Sequence, residues 1–407
     1  MAPKCKIIEV KLTPITPFFF GKENLSEMGN KFDYFQTSSE NPQQTTLLGF
    51  LRHKILRDNG INLDANNFRN DKSYKIDDLI GSNGFIVNND KPNYFGKIIS
   101  ISPYFIIDKG GTYLWDRGNE CIKNKIDNEA VHKNEELGLS DSEDSFVWRD
   151  TITNRNINFL GKQKFSEKLN EIDKDTICSA FTNVGIYKGG VKSKSMDDSY
   201  FINEYRLLQR TNLVYENDVQ KFQKTDKISF GFLACLSEDL DLNQSVDFMP
   251  MGKERSMFKV ESKIVANNIE LYENYNLFDF SPYLPTNNFV ADGIIKCILL
   301  SDAKLDIEEL NLLDNLCSMQ IVNHQRFRYI KRNAEKFFPG SKPIKENKAF
   351  YLLAKGSVLF FKNDLIRDQE TNSLISKKTA IENIFNKSLD FKQIGYNYIF
   401  FTLAKTY

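Results

Sequence analysis

Residues 42–52, Pro-Gln-Gln-Thr-Thr-Leu-Leu-Gly-Phe-Leu-Arg, constrain the fold more than any other stretch. Leu47, Leu48, Leu51 and Ile55 recur at helical spacing and make one apolar face, so a helix is expected over Thr45–Asp58. Thr45 or Thr46 suits its N-cap. Gly49 and His53 lie one turn apart on another face, with Arg52 beside them. A glycine inside a helix costs about 1 kcal/mol relative to alanine, so it commonly marks close approach by another group. Free amides at a helix start, a small residue and an arginine together suit an anion such as an RNA phosphate. An ordinary amphipathic helix with a packing glycine is the alternative. The segment follows Pro17-Phe18-Phe19-Phe20-Gly21-Lys22-Glu23, so strand, long loop and helix are expected in that order.

Period-two alternation marks Ile8, Val10 and Leu12 as a strand. Lys97–Asp108, Ile228–Leu236, Gly293–Ser301, Ala349–Lys362 and Tyr398–Ala404 carry similar β-branched and aromatic enrichment. Helical patterns recur at Leu305–Asn315 and Ser376–Asn386. This interleaving indicates an α+β fold. A loose β-α-β-β-α-β order appears twice, which fits two ferredoxin-like (RNA-recognition-type) domains with large insertions, at residues 1–271 and 286–407. Between them, residues 272–285 read as a linker rich in aromatics, Asn and Pro. Residues 134–145 are expected to be a solvated acidic loop. Residues 187–199, with Lys188, Lys192, Lys194 and two glycines between apolar runs, read as a long hairpin with a cationic tip.

Lys plus Arg equals Asp plus Glu at 54 each, so no whole-protein field draws in polyanions, and any nucleic-acid surface must be local or shared with partners. The 6 cysteines are scattered, which argues for core thiols in a reducing cytosol rather than disulfides or zinc. Residues 1–14 lack the apolar stretch of a signal peptide, and the longest apolar runs are strand-length, so a soluble cytoplasmic protein without a membrane partner is expected. With 3 histidines and neither a paired metal-ligand spacing nor a phosphate-binding loop, a metal-dependent enzyme and a bound cofactor are not expected. Metal-independent RNA cleavage needs only a general base, a general acid and cations for the phosphate. His53, with Arg52 and Lys54 close by, could supply part of that; a surface histidine without a chemical role is the plainer reading.

Two further constellations look like binding. Met249–Phe258 is a turn with Gly252, Lys253, Arg255 and Ser256 between apolar residues, able to hold a phosphodiester or to be an ordinary surface turn. Gln320–Lys336 is the most basic window, with His324, Arg326, Arg328, Lys331, Arg332 and Lys336 around Phe327 and Tyr329. Cations interleaved with aromatics suit single-stranded RNA; a solvated edge strand is the alternative.

In chain order come Pro17 before Phe20-Gly21-Lys22-Glu23, Thr46-x-x-Gly49-x-x-Arg52, Val184-Gly185-Ile186 before the basic hairpin, Gly252-Lys253-Glu254-Arg255-Ser256, Lys355-Gly356-Ser357-Val358 and Ile394-Gly395-Tyr396. This ordered set, spread over nearly the full length, resembles the third subunit of type III-B (Cmr) CRISPR effector complexes, a branch of the RAMP superfamily that caps the crRNA 5′ end. The resemblance implies two ferredoxin-like RAMP folds and a non-catalytic role. It implies as partners the crRNA 5′ tag, the guide–target RNA duplex, the large signal-synthesising subunit and the backbone RAMP subunit. By this resemblance Thr45, Thr46, Gly49 and Arg52 would sit against crRNA, with His53 beside them as a further candidate RNA contact, and Lys188, Lys192 and Lys194 would belong to a thumb. Gly252, Lys253 and Arg255, with Ser256, would cradle the tag, and Lys355-Gly356 would be the late glycine element. The chain departs from the family where two adjacent glycines are common, having Gly252-Lys253, and where Gly395 is followed by Tyr396-Asn397. The competing expectation is a RAMP endonuclease that processes precursor crRNA with His53 as general acid or base; a third is a scaffold without RNA.

Overall fold

The computed structural model describes residues 4–21, 35–61, 73–81, 85, 93–108, 110–116, 118, 121–125, 132–139, 146–150, 159–162, 169–172, 178–186, 200–208, 210–216, 219–226, 228–240, 242–252, 255–270, 278, 280, 293–327, 330–331, 344–345, 350–368 and 371–404. The first strand, β1 (Lys4–Pro14), turns Ile8, Val10 and Leu12 inward, as their alternation requires. It pairs antiparallel with Ser229–Ser237 on one side and with Ser256–Glu270 on the other, setting Val10 opposite Phe232 and Ser262. Ser229–Ser237 pairs in turn with Ile98–Ile101 and Phe105–Ile107. Named by chain order, the strands from Lys4, Ile98, Ser229 and Ser256 lie in sheet order fourth, first, third, second, all antiparallel. The strand expected over Lys97–Asp108 is broken because Pro103 has no amide to donate and Ser102 turns its hydroxyl to the Leu233 amide.

Helix α1 (Gln44–Asp58) covers the inner face of this sheet. Leu47, Leu48, Leu51 and Ile55 meet Val10, Leu12, Phe230 and Phe232 in one core. Each such burial stabilises by roughly 1.5–3 kcal/mol, so α1 is held by its stripe rather than by its own propensity.

The C-terminal half repeats the order with both helices present. Ile294–Leu299, the helix Ile307–Leu316, Met319–Ile321, Val358–Lys362, the helix Lys377–Asn386 and Ile399–Leu403 follow one another. The four strands again lie fourth, first, third, second, and every pairing is antiparallel. A capping box between Asp306 and Glu309 starts the first of these helices. Ser376 caps the other by accepting from the Thr379 amide. The run expected as one strand over Ala349–Lys362 is two, Phe350–Leu353 and Val358–Lys362, parted by a turn at Lys355-Gly356.

The two halves share packing. Phe391, Ile394 and Tyr396 enter the first core, while Leu300 and Tyr398 join Phe105, Trp115 and Cys235 on the opposite face of the first sheet. Phe278 and Phe280, inside the expected linker, are buried in that second cluster, with Phe280 4.6 Å from Trp115. The acidic loop expected at 134–145 is corrected over its first part: His132–Leu139 is the middle strand of a three-stranded sheet, with Glu136 opposite Arg149. Alternation and cross-strand pairing outweigh the local excess of carboxylates there. The remainder of that loop lies outside the described residues.

Cys178–Ile186 and Tyr200–Leu208 pair antiparallel up to Ile186 opposite Tyr200, on either side of the hairpin expected between them. Its tip, 187–199, lies outside the described residues. The returning strand runs parallel to Phe35–Ser39, the segment that leads into α1. Phe18 exchanges both backbone hydrogen bonds with Arg206, at 2.8 and 2.9 Å. No helix among the described residues is long and apolar enough to cross a membrane.

Candidate nucleic-acid interface

The helix α1 begins one residue earlier than its sequence suggests. Gln43 is the N-cap, its side chain makes no capping hydrogen bond, and Thr45 and Thr46 fall in the first turn. This corrects the expectation that a threonine caps the helix. The reason is long-range: buried Gln44 donates through Nε2 to the carbonyls of Gly395 at 3.1 Å and Ser102 at 3.4 Å, which fixes where the helix starts. Gly395 is needed for that approach. Its φ is +91°, and a Cβ there would stand 2.6 Å from the Ser102 oxygen. The far end of α1 is pinned by Lys54 to Asp58 at 2.9 Å and by Arg57 to Asp247 at 3.0 Å.

One stripe of α1 remains at the surface: Thr45, Thr46, Gly49, Arg52, His53 and Arg57. No acidic residue sits in the first turn. Gly49 is exposed, and a Cβ built on it meets nothing within 4 Å among the described residues. Packing against the described residues therefore does not explain the glycine. Arg52 lies 5.4 Å from the Phe95 ring centroid. Its Nε and Nη2 are shielded from solvent and have no acceptor among the described residues. Burial lowers its pKa to about 10, so it stays charged at neutral pH. A guanidinium with unused donors is costly, and half-buried Arg52 must turn those donors outward before an anion on the stripe can accept from them. His53 is half-buried, and its pKa is lowered first by that burial and then by Arg57, with Asp247 opposing.

At the start of α1 a cavity of about 170 Å3 is lined by Asn41, Gln43, Asp116, Asp302, Gln325 and Lys355 among others. Lys355 is committed: its side chain is 7% exposed, its ammonium is 3.4 Å from Asp116 and it sits 3.7 Å over the Tyr104 ring. The Lys355 amide donates to Asp302 Oδ1 at 2.8 Å. Burial pushes the Asp302 carboxyl up to about 6, against the pull of that hydrogen bond and of the lysine charge. Gly356, at φ +82°, donates to the Leu299 carbonyl and closes the turn. Lys355 thus latches the C-terminal half to Tyr104 and Asp116 of the first.

The Gly252 turn packs against the same approach to α1. Gly252, at φ +83°, sits where a Cβ would meet the Phe19 oxygen at 2.6 Å. Ser256 is buried, and its hydroxyl accepts from the Phe19 amide at 3.1 Å, so it faces inward rather than toward a ligand, a correction to the expectation. Arg255 is exposed. Arg326 is half-buried in the strand His324–Phe327, opposite Tyr351. Lys188, Lys192, Lys194, Lys253 and Arg328 lie outside the described residues. Tyr104, Asp116, Asp302 and Gln44 were not singled out by sequence. Their partners are far along the chain, and no local spacing announces them.

No known family's sequence pattern matches the chain, and no curated protein matches it. Among solved structures, it is similar to a chain in the cryo-EM structure of a type III-B Cmr-β bound to cognate target RNA and AMPPnP, at 12% identity and a TM-score of 0.42, covering 96% of this chain and 95% of that one. A second likeness, to a chain of type III-B Cmr-β bound to cognate target RNA, has 13% identity and a TM-score of 0.41, covering 97% and 96%. At that identity and score neither likeness carries a residue role or an activity onto this chain.

Proposed function

We propose that this chain is a non-catalytic RNA-binding subunit of a type III-B CRISPR ribonucleoprotein, capping the crRNA 5′ tag and bridging the large signal-synthesising subunit to the backbone subunit. One observation carries the RNA reading. The α1 stripe joins a helix start without a side-chain cap, a Gly49 with open space beside it and an Arg52 with two shielded donors that have no acceptor, all among the described residues. Two sheets in the order fourth, first, third, second are the order of ferredoxin-like domains, in keeping with the ordered motifs that resemble RAMP proteins. Balanced charge suits a subunit with part of its surface given to protein and part to RNA. The neutral tendency of His53 leaves it as a neighbour of the phosphate path rather than a cation on it.

The test is to purify the tagged chain from its native cells and sequence the RNA it retains. Guides sharing one repeat-derived 5′ tag, lost on Arg52→Ala, are expected. Unprocessed precursor would turn the assignment toward cleavage by His53, and an RNA-free eluate would overturn it.

A further inference from the structure

Among the described residues Ile307 is the most exposed large apolar side chain, at 77%, and Tyr351 is also well exposed, at 64%. Both line one open cleft of about 570 Å3, together with Lys304, Asp306, Glu308 and Phe350. All of its lining comes from the C-terminal half, with Leu305 and Leu310 packed in the second core and Phe350 against the first. Water gains nothing by wetting two such side chains beside a preformed concavity, so an apolar occupant is favoured there.

The chemistry of the rim excludes RNA. The helix that starts at Ile307 is closed by its capping box: Asp306 accepts from the Glu309 amide and Glu309 from the Asp306 amide, both at 2.8 Å. Those two amides are unavailable to a phosphate. Lys304 turns its ammonium back to the Leu305 carbonyl at 2.9 Å, which leaves the exposed Glu308 carboxylate on the rim. An anion is repelled, whereas a cation beside an apolar anchor is drawn in.

We infer that this cleft is the docking site for a segment of a partner protein that inserts an apolar side chain between Ile307 and Tyr351 and sets a lysine or arginine against Glu308. The inference rests on the reading of the chain as one subunit among several, and RNA retention provides a separate readout for that reading.

The experiment replaces Ile307 with a photocrosslinking benzoylphenylalanine in the tagged full-length chain, in native cells, and maps the crosslinked peptides. A single partner polypeptide is expected, joined at a peptide with an apolar residue next to Lys or Arg. Ile307→Glu should lower recovery of that partner about tenfold or more, as loss of a buried anchor does, and Glu308→Lys should act in the same direction. RNA retention should be unchanged in both. Leu365→Glu, at an equally exposed position elsewhere, should keep partner and RNA alike. Crosslinks confined to this chain, to a second copy or to RNA, no crosslink, or full partner recovery with Ile307→Glu would overturn the proposal. Loss of RNA with the partner retained would instead strike the function proposed above.

Discussion

Replacing Gly49 by alanine should raise the stability of the chain and weaken its hold on RNA. Gly49 lies in the exposed middle of α1, and a Cβ there meets nothing within 4 Å among the described residues. The gain is therefore the intrinsic one, roughly 0.5–1 kcal/mol from the smaller conformational entropy lost and the better helix propensity of alanine. If RNA backbone lies against the stripe, the same methyl group intrudes on it. Displacing a phosphate from Arg52 sacrifices a charge-assisted hydrogen bond of about 1.5–3 kcal/mol, which corresponds to about a tenfold or greater loss of affinity. Urea unfolding measures the first effect. Fluorescence anisotropy with tag-bearing crRNA at fixed salt measures the second, the salt being fixed because phosphate contacts weaken steeply with it. A destabilised variant would refute the claim that nothing in the chain needs the glycine. A stabilised variant with unchanged affinity would refute the claim that RNA does.

Three further outcomes are expected. Gly395→Ala should destabilise by roughly 2–4 kcal/mol in urea titration, since it adds left-handed backbone strain to a clash with the Ser102 carbonyl under Gln44. Phe280→Ala should cost about 3–5 kcal/mol if residue 280 is core rather than linker, whereas a linker position would cost almost nothing. Asp302 ties stability to pH: its folded pKa of about 6 exceeds the roughly 3.9 of an unfolded aspartate, so the folded state binds the proton more tightly. Its contribution is then full below about pH 4 and is lost as pH rises through about 6, with a ceiling of about 3 kcal/mol before solvent screening. Asp302→Asn should flatten that part of the profile, measured as unfolding free energy from acid to neutral pH.

Local pattern was enough for the helices Gln44–Asp58, Ile307–Leu316 and Lys377–Asn386 and for core strands such as Lys4–Pro14, because a period of 3.6 or 2 is written in neighbouring residues such as Leu47 to Ile55 or Ile8 to Leu12. It failed where a distant partner decided the outcome. Gln44 displaced the expected threonine cap through contacts with Ser102 and Gly395. The acidic residues of His132–Leu139 took strand form because flanking strands paired with them on both sides. Lys355 reads as a free cation beside a glycine, and its commitment to Asp116 and Tyr104 depends on residues roughly 240–250 positions away. Ser256 likewise reads as a turn hydroxyl until Phe19 is folded against it. The α1 stripe was legible because its residues are local, while the cavity at its start was not.

The strand Tyr200–Leu208 runs alongside Phe35–Ser39, whose chain passes directly into α1, and Arg206 is bonded to Phe18 along the same edge. A lever clamped at its fulcrum cannot swing without turning the axle. The strand Tyr200–Leu208 and the segment entering α1 are thus joined by backbone pairing, which gives a load on one a physical route to the other. Linkage makes the exchange equal in both directions: if engaging a target at the hairpin tightens the grip on the helix by some factor, loading the helix tightens the grip on the target by the same factor.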